Sequence, residues 1–191
     1  MKQFSKLFAA FTFAVTVFLA DNAKGQTTQV NTLGFGIGAE SGITTGAISG
    51  APNAYVGATT RLQYGLSEKF ALTLTTGYYN FFGNHYHNSM GMIPVKAGFK
   101  YFVGSGFYIS GEAGAGFELQ NFNVVNDPNN GSPGTRLLWS AGFGYATNSW
   151  DFGLRYENFS GSATYASQTY AGQNNSYGLV GLRVGHGFGL N

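Results

Sequence analysis

From Ala54 to the end, the chain repeatedly alternates apolar and polar or glycine positions. Ile93, Val95, Ala97, Phe99 and Tyr101 share one parity, and Lys96, Gly98 and Lys100 share the other. Leu137, Trp139, Ala141, Phe143 and Tyr145 stand likewise against Arg136, Ser140, Gly142 and Gly144. A period of two is the signature of a β-strand with unlike faces. The pattern predicts eight strands, near Thr28–Glu40, Ala54–Tyr64, Phe70–Phe81, Met92–Phe102, Phe107–Glu118, Thr135–Thr147, Trp150–Phe159 and Ser176–Phe188. Each has about ten to thirteen residues, the length of a tilted membrane crossing.

The connections alternate in length. Gly65–Lys69, Val103–Gly106 and Asn148-Ser149 are short; Ser41–Asn53, Phe82–Gly91, Leu119–Gly134 and Ser160–Asn175 are long. This alternation predicts an up-and-down antiparallel barrel with both termini at one end. No helical period, linker or second domain appears.

Charge sharpens the picture. Setting the first twenty-five residues aside, Glu40, Arg61, Lys96, Lys100, Glu112, Glu118, Arg136, Asp151, Arg155, Glu157 and Arg183 all fall on the polar face of predicted strands. They are eleven of the fourteen charged residues in that stretch. The choice is between a soluble sheet and a barrel turned inside out in a membrane. Three features favour the second. The polar face is crowded with glycine (Gly34, Gly36, Gly38, Gly57, Gly77, Gly98, Gly114, Gly116, Gly142, Gly144 and Gly153), which weakens a solvated strand but leaves room for long side chains in a narrow lumen. Tyr64, Phe70, Tyr101, Phe107, Tyr145, Trp150 and Phe188 cluster where strands meet the short turns, as an interfacial girdle does. The N-terminus is the third feature. Lys2 and Lys6 precede an apolar run, Leu7 to Ala20, and small residues Ala23 and Gly25 follow it. This predicts a secretory signal peptide over residues 1–25, cleaved before Gln26, with a short anchor helix as the alternative. The barrel domain is then 26–191.

Composition narrows function by exclusion. Charged residues are only 9% of the chain, aromatics 17%, and cysteine is absent. The formal charge of +2 comes from the leader, since the remaining Lys and Arg match the Asp and Glu at seven each. A basic patch for nucleic acid is therefore not expected. No apolar run reaches the eighteen residues of a membrane helix.

Two stretches carry a resemblance. One is Arg61-Leu-Gln-Tyr-Gly-Leu-Ser-Glu-Lys-Phe-Ala-Leu-Thr73, followed by Gly77-Tyr-Tyr79. The other is Ile93-Pro-Val-Lys-Ala-Gly-Phe-Lys-Tyr101, then Gly106-Phe-Tyr-Ile-Ser-Gly-Glu-Ala-Gly114. The chain resembles the small outer-membrane β-barrel proteins of Bacteroidetes-type bacteria, OmpA/OmpX-like barrels of eight strands. The resemblance spans the whole chain after the leader. It implies a monomer in outer-membrane lipid, with N- and C-termini in the periplasm, inserted by the barrel assembly machinery. That family shares no catalytic motif, so no catalytic residue is implied. Its members usually end on an aromatic; here Gly189-Leu190-Asn191 follows Phe188.

Candidate chemistry is sparse. His85 and His87 lie two apart in a long connection without a nearby acid or cysteine, so neither a metal site nor a cofactor is expected. A lipid-modifying enzyme would pair one of them with Ser89, Ser132 or Ser160 and with Asp127, but no nucleophile-elbow context surrounds these serines. His186 shares the phase of Val184 and Phe188 and belongs at the membrane interface. The six cations and five anions of the polar face are the best-defined constellation. They form either a salt-bridged plug or a polar conduit, and the narrowness of eight strands favours the plug. The expected function is a non-enzymatic outer-membrane protein, structural or a surface-binding scaffold whose long loops face an unknown ligand. A rim enzyme and a narrow solute conduit are the alternatives.

Overall fold

The computed structural model describes residues 30–45, 54–83, 89–119, 134–160 and 176–190. The predicted signal peptide, His85, His87, Asp127 and Ser132 lie outside them. Eight strands run in chain order: β1 (Leu33–Thr45), β2 (Ala54–Gly65), β3 (Phe70–Phe81), β4 (Met90–Gly104), β5 (Phe107–Glu118), β6 (Thr135–Ala146), β7 (Trp150–Ser160) and β8 (Tyr177–Leu190). Every neighbouring pair is antiparallel, and β8 closes on β1 from Leu33↔Leu190 to Thr45↔Gly178. Closure leaves no free sheet edge, the condition for β-structure to cross lipid.

The strand ends agree with the sequence pattern within two residues, except in β1. That strand was expected over Thr28–Glu40 and occupies Leu33–Thr45. Asn31 takes a left-handed φ of 57° and donates its N–H to Gly65 O at 2.8 Å, which turns the chain before the strand begins. At the other end Ser41-Gly42 looks like a strand stop in sequence. In the closed barrel both residues are paired on two sides, with Val56 and Tyr55 on β2 and with Leu182 and Gly181 on β8.

The short turns are stitched by local polar contacts. Phe70 N donates to Ser67 Oγ at 3.1 Å, and Trp150 N to Thr147 Oγ1 at 3.0 Å. Between β4 and β5 the register slips at Phe102/Gly104, and the tight return places Ser105 at φ 42° and Gly106 at φ 87°.

The apolar parity faces outward. Ile37, Leu72, Leu74, Val95, Phe99, Ile109, Phe143 and Leu182 are exposed along the wall, and Ala113 with them, while Leu154 and Val184 are half-buried on the same side. The aromatic belt at the short-turn end is present as expected from sequence, with Phe70 stacked on Phe99 at 5.8 Å and Phe107 tilted against Tyr145 at 4.9 Å. His186 sits in this belt, edge-on to Trp150 at 5.0 Å and against Phe188 at 4.7 Å. A second belt lies toward the long connections: Tyr78, Phe117, Trp139 and Tyr156 face outward there, with Trp139 and Tyr156 in ring contact at 5.6 Å.

Leu66 and Leu182 are both 48% exposed, but Leu66 lies in the β2–β3 turn and Leu182 in the middle of the wall. Leu182→Arg should cost about 2–4 kcal/mol in lipid vesicles and Leu66→Arg about 1 kcal/mol or less. Urea titration of the refolded variants measures both. Equal costs would mean that the wall does not face hydrocarbon.

Candidate functional site

The polar parity meets inside the barrel. Of the eleven charged residues singled out from sequence, ten are buried; Asp151 keeps 16% of its side chain accessible. Glycine makes this possible. A Cβ at Gly98 would stand 2.7 Å from Glu112 Cγ, one at Gly142 2.8 Å from Arg155 Cβ, and one at Gly38 2.8 Å from the Arg183 guanidinium. Each glycine lets a neighbouring strand come close, with its long side chain at all three positions and its backbone carbonyl too at Gly98 and Gly142.

The ion pairs run mainly across the lumen. Arg155 is the hub. Its guanidinium grips both oxygens of Glu40, lies 3.1 Å from Glu157 Oε2 and reaches Glu112 Oε2 at 3.8 Å. It also donates to Tyr79 Oη. Lys96 bridges Glu157 at 2.9 Å and Glu112 at 3.3 Å. Arg61 pairs with Glu112 at 3.1 Å, while Thr75 accepts from Arg61 Nε at 3.0 Å and donates to the same Glu112 oxygen at 2.7 Å. Glu40 further accepts the hydroxyls of Thr59 at 2.9 Å and Tyr79 at 3.0 Å. Asp151 gathers Lys100, Arg183 at 3.5 Å and Arg61 at 3.9 Å, and accepts the Tyr108 hydroxyl at 2.7 Å. Arg183 also meets Glu40 at 3.4 Å. Arg136 and Glu118 form a separate pair nearer the long connections. Arg155 and Arg183 between them contact Glu40, Glu112, Asp151 and Glu157, the four acids that strand phase brings within their reach.

Beyond the charges, toward the long connections, the lumen is apolar. Tyr55, Tyr79, Phe81, Met90, Met92, Leu138, Phe159, Tyr177 and Leu179 form one buried cluster. Phe81 packs edge-on against Phe159 at 5.9 Å and Tyr177 at 6.0 Å, and Phe159 stacks on Tyr177 at 4.8 Å. This layer was not singled out from the sequence. The signal was present: Met92, Leu138, Phe159 and Leu179 share parity with the charges of their strands, and Phe81 with the inward Thr75, but all sit at the long-connection end. A smaller cluster, Phe102, Tyr108 and Ala146, fills part of the opposite end.

The candidate serines show little. Ser160 Oγ lies 2.6 Å from Asn158 Oδ1, and Ser89 Oγ accepts Gly83 N–H at 3.2 Å. Among the described residues no three His, Cys, Asp or Glu side chains come together as a metal site would require.

No family model and no curated protein matches the sequence. Solved structures do match the fold. Ail, the attachment invasion locus protein of Yersinia pestis, aligns with a TM-score of 0.56 at 13% identity, over 84% of this chain and 100% of that one. OprG, an outer-membrane protein of Pseudomonas aeruginosa, gives 0.48 at 10% identity over 87% and 99% of the two chains. The outer-membrane enzyme PagL gives 0.47 at 19% identity over 78% and 97%. The likeness to Ail is one of fold. This chain folds as an eight-stranded antiparallel barrel of the outer-membrane type.

Removing one partner of a buried ion pair strands the other charge and costs about 3–5 kcal/mol, whereas replacing both with apolar groups can be near neutral. Arg155→Leu should therefore lower stability by that order. Adding Glu40→Leu should recover part of the loss, since Arg183 keeps Asp151. Urea midpoints of both singles and the double in detergent give the coupling. Additive losses would show that the lumen solvates these charges.

Proposed function

We propose that the protein is a non-enzymatic integral outer-membrane barrel of the Bacteroidetes-type, OmpA/OmpX-like class, a rigid and closed scaffold whose long connections carry any recognition. One observation carries this reading: the mid-lumen is filled. Lys96 has 0% of its surface accessible, and so do Phe81, Tyr79, Met92, Leu138 and Phe159 just beyond it. A cross-section occupied by paired ions and then by stacked rings serves as a plug rather than a path. An ion entering from the long-connection end would meet an apolar layer before any counter-charge, at a large desolvation cost.

The placement follows from the outer wall. A continuous apolar surface between two aromatic belts fits outer-membrane lipid as its principal partner. The signal peptide at 1–25 supplies export, and the barrel assembly machinery supplies insertion. The strand order leaves Leu33 and Leu190 paired at the short-turn end. In this reading both termini face the periplasm and the long connections face outward. The protein works as a monomer, because its closed sheet offers no edge for another chain.

Purified barrel in planar bilayers should show no stable porin-like conductance. Reproducible open levels from monomeric protein would favour the conduit and overturn the scaffold. Release of fatty acid from lipopolysaccharide or phospholipid by the same preparation would overturn its non-enzymatic character.

A further inference from the structure

The plug is not symmetric along the barrel axis. At the short-turn end the lumen holds a cavity of about 320 Å³, bounded by the starts of β1 and β7 and the ends of β2, β4 and β8. Two independent features distinguish it.

The first is charge. Arg61, Lys100 and Arg183 line the cavity, and Asp151 is the one acid among its lining residues. The other acids of the network lie deeper and are divided among several cations. Glu40 serves both Arg155 and Arg183, and Glu112 serves Arg61, Lys96 and Arg155. Apart from the Arg136–Glu118 pair, the network counts five cations (Arg61, Lys96, Lys100, Arg155, Arg183) against four acids (Glu40, Glu112, Asp151, Glu157). The cation excess therefore faces this cavity. Arg183 Nε is buried and lies 3.4 Å from Glu40 Oε1 without hydrogen-bond geometry.

The second is vacancy. Deeper in the lumen, glycines are filled from the neighbouring strand: Cβ atoms at Gly142 and Gly38 would collide with arginine side chains. At Gly34 and Gly187 a Cβ would meet nothing closer than 3.8 and 3.9 Å. Among the described residues no side chain comes within 4 Å of the Cβ positions at these two glycines. Arg183, whose guanidinium rests across Gly38 and Gly185, lines the same cavity as these two glycines.

We propose that this vestibule is a binding site for a small water-soluble oxyanion of the phosphate or carboxylate type. A guanidinium offers a planar fork of donors suited to such groups, and Lys100 adds a compact positive charge. The concave, low-dielectric surroundings strengthen both attractions. The anion enters from the short-turn mouth, past the exposed Asn148 and Ser149. The paired strands β1 and β8 wall the cavity off from lipid, so a headgroup still attached to acyl chains does not reach it.

Trp150 borders the cavity while its ring stands in the aromatic belt against His186, and it serves as the fluorescence probe. In a Trp139→Phe background, refolded in a non-ionic detergent, inorganic phosphate should change Trp150 fluorescence saturably when ionic strength is held with chloride. Phosphate should also raise the urea midpoint. The same protein in phosphatidylglycerol vesicles without soluble phosphate should show no such change. Gly34→Leu with Gly187→Leu fills the vestibule and leaves every charge in place. It should fold with an unchanged phosphate-free midpoint and bind phosphate at least tenfold more weakly. Arg183→Lys, which keeps the charge and loses the fork, should weaken binding several-fold. A parent protein indifferent to phosphate overturns the proposal. So does a folded, filled variant that binds as well as the parent. A response to phosphatidylglycerol alone would assign the site to lipid and overturn the soluble ligand.

Discussion

The Arg155 guanidinium, held between Glu40 and Glu157 and hydrogen-bonded to Tyr79, ties β7 to β1 and β3 through the centre of the barrel. A charge in a space with little water is tolerable only when it is paired and its remaining donors are satisfied. That requirement propagates. Glu40 must be fixed, so Thr59 and Tyr79 donate to it. Glu112 must be fixed, so Thr75 does the same. Arg61, Lys96 and Lys100 then reach acids three strands away in the closed order, Glu112, Glu157 and Asp151. These cross-lumen ties set how the wall curves on itself, and a slip of one residue in any strand would turn its charges to lipid.

Glycine is the steric counterpart of the same constraint. Long side chains fill a narrow lumen only if the residues facing them are small. The charges and the glycines on one parity are thus two halves of a single arrangement, as at Gly98 with Glu112 and Gly142 with Arg155. The outer parity answers a different demand. Lipid asks only for apolar surface and for aromatic rings at its two boundaries, so that face tolerates Leu, Val, Ile, Phe and Ala almost interchangeably.

Along its axis the lumen passes through three environments. An aromatic and aliphatic layer lies toward the long connections, the ion network occupies the middle, and a cation-lined vestibule opens at the short turns. The first two make the barrel rigid and closed, which suits a scaffold for loops. The third is the part of the interior where the described side chains leave room, and it faces the compartment that the short turns face.

The architecture was legible in the sequence because both of its determinants are local. Period-two alternation marks the strands, and connection length marks the topology, so strand count, facing and the identity of the interior charges follow from the chain alone. Where the reading failed, the missing information was non-local. β1 could not be placed without β8, because pairing on both sides carries the strand through Ser41-Gly42. The apolar layer was hidden because parity tells which face a residue takes and not its height along the axis. Phe81 and Thr75 share a parity, yet one lies among rings and the other among ions. Which acid meets which cation was likewise undetermined, since most bridges join strands that are not hydrogen-bonded neighbours. Sequence alone assigned the charges to the lumen. Only closure, which fixes the distance across the barrel and the height of every residue in it, decided their partners and left the vestibule open.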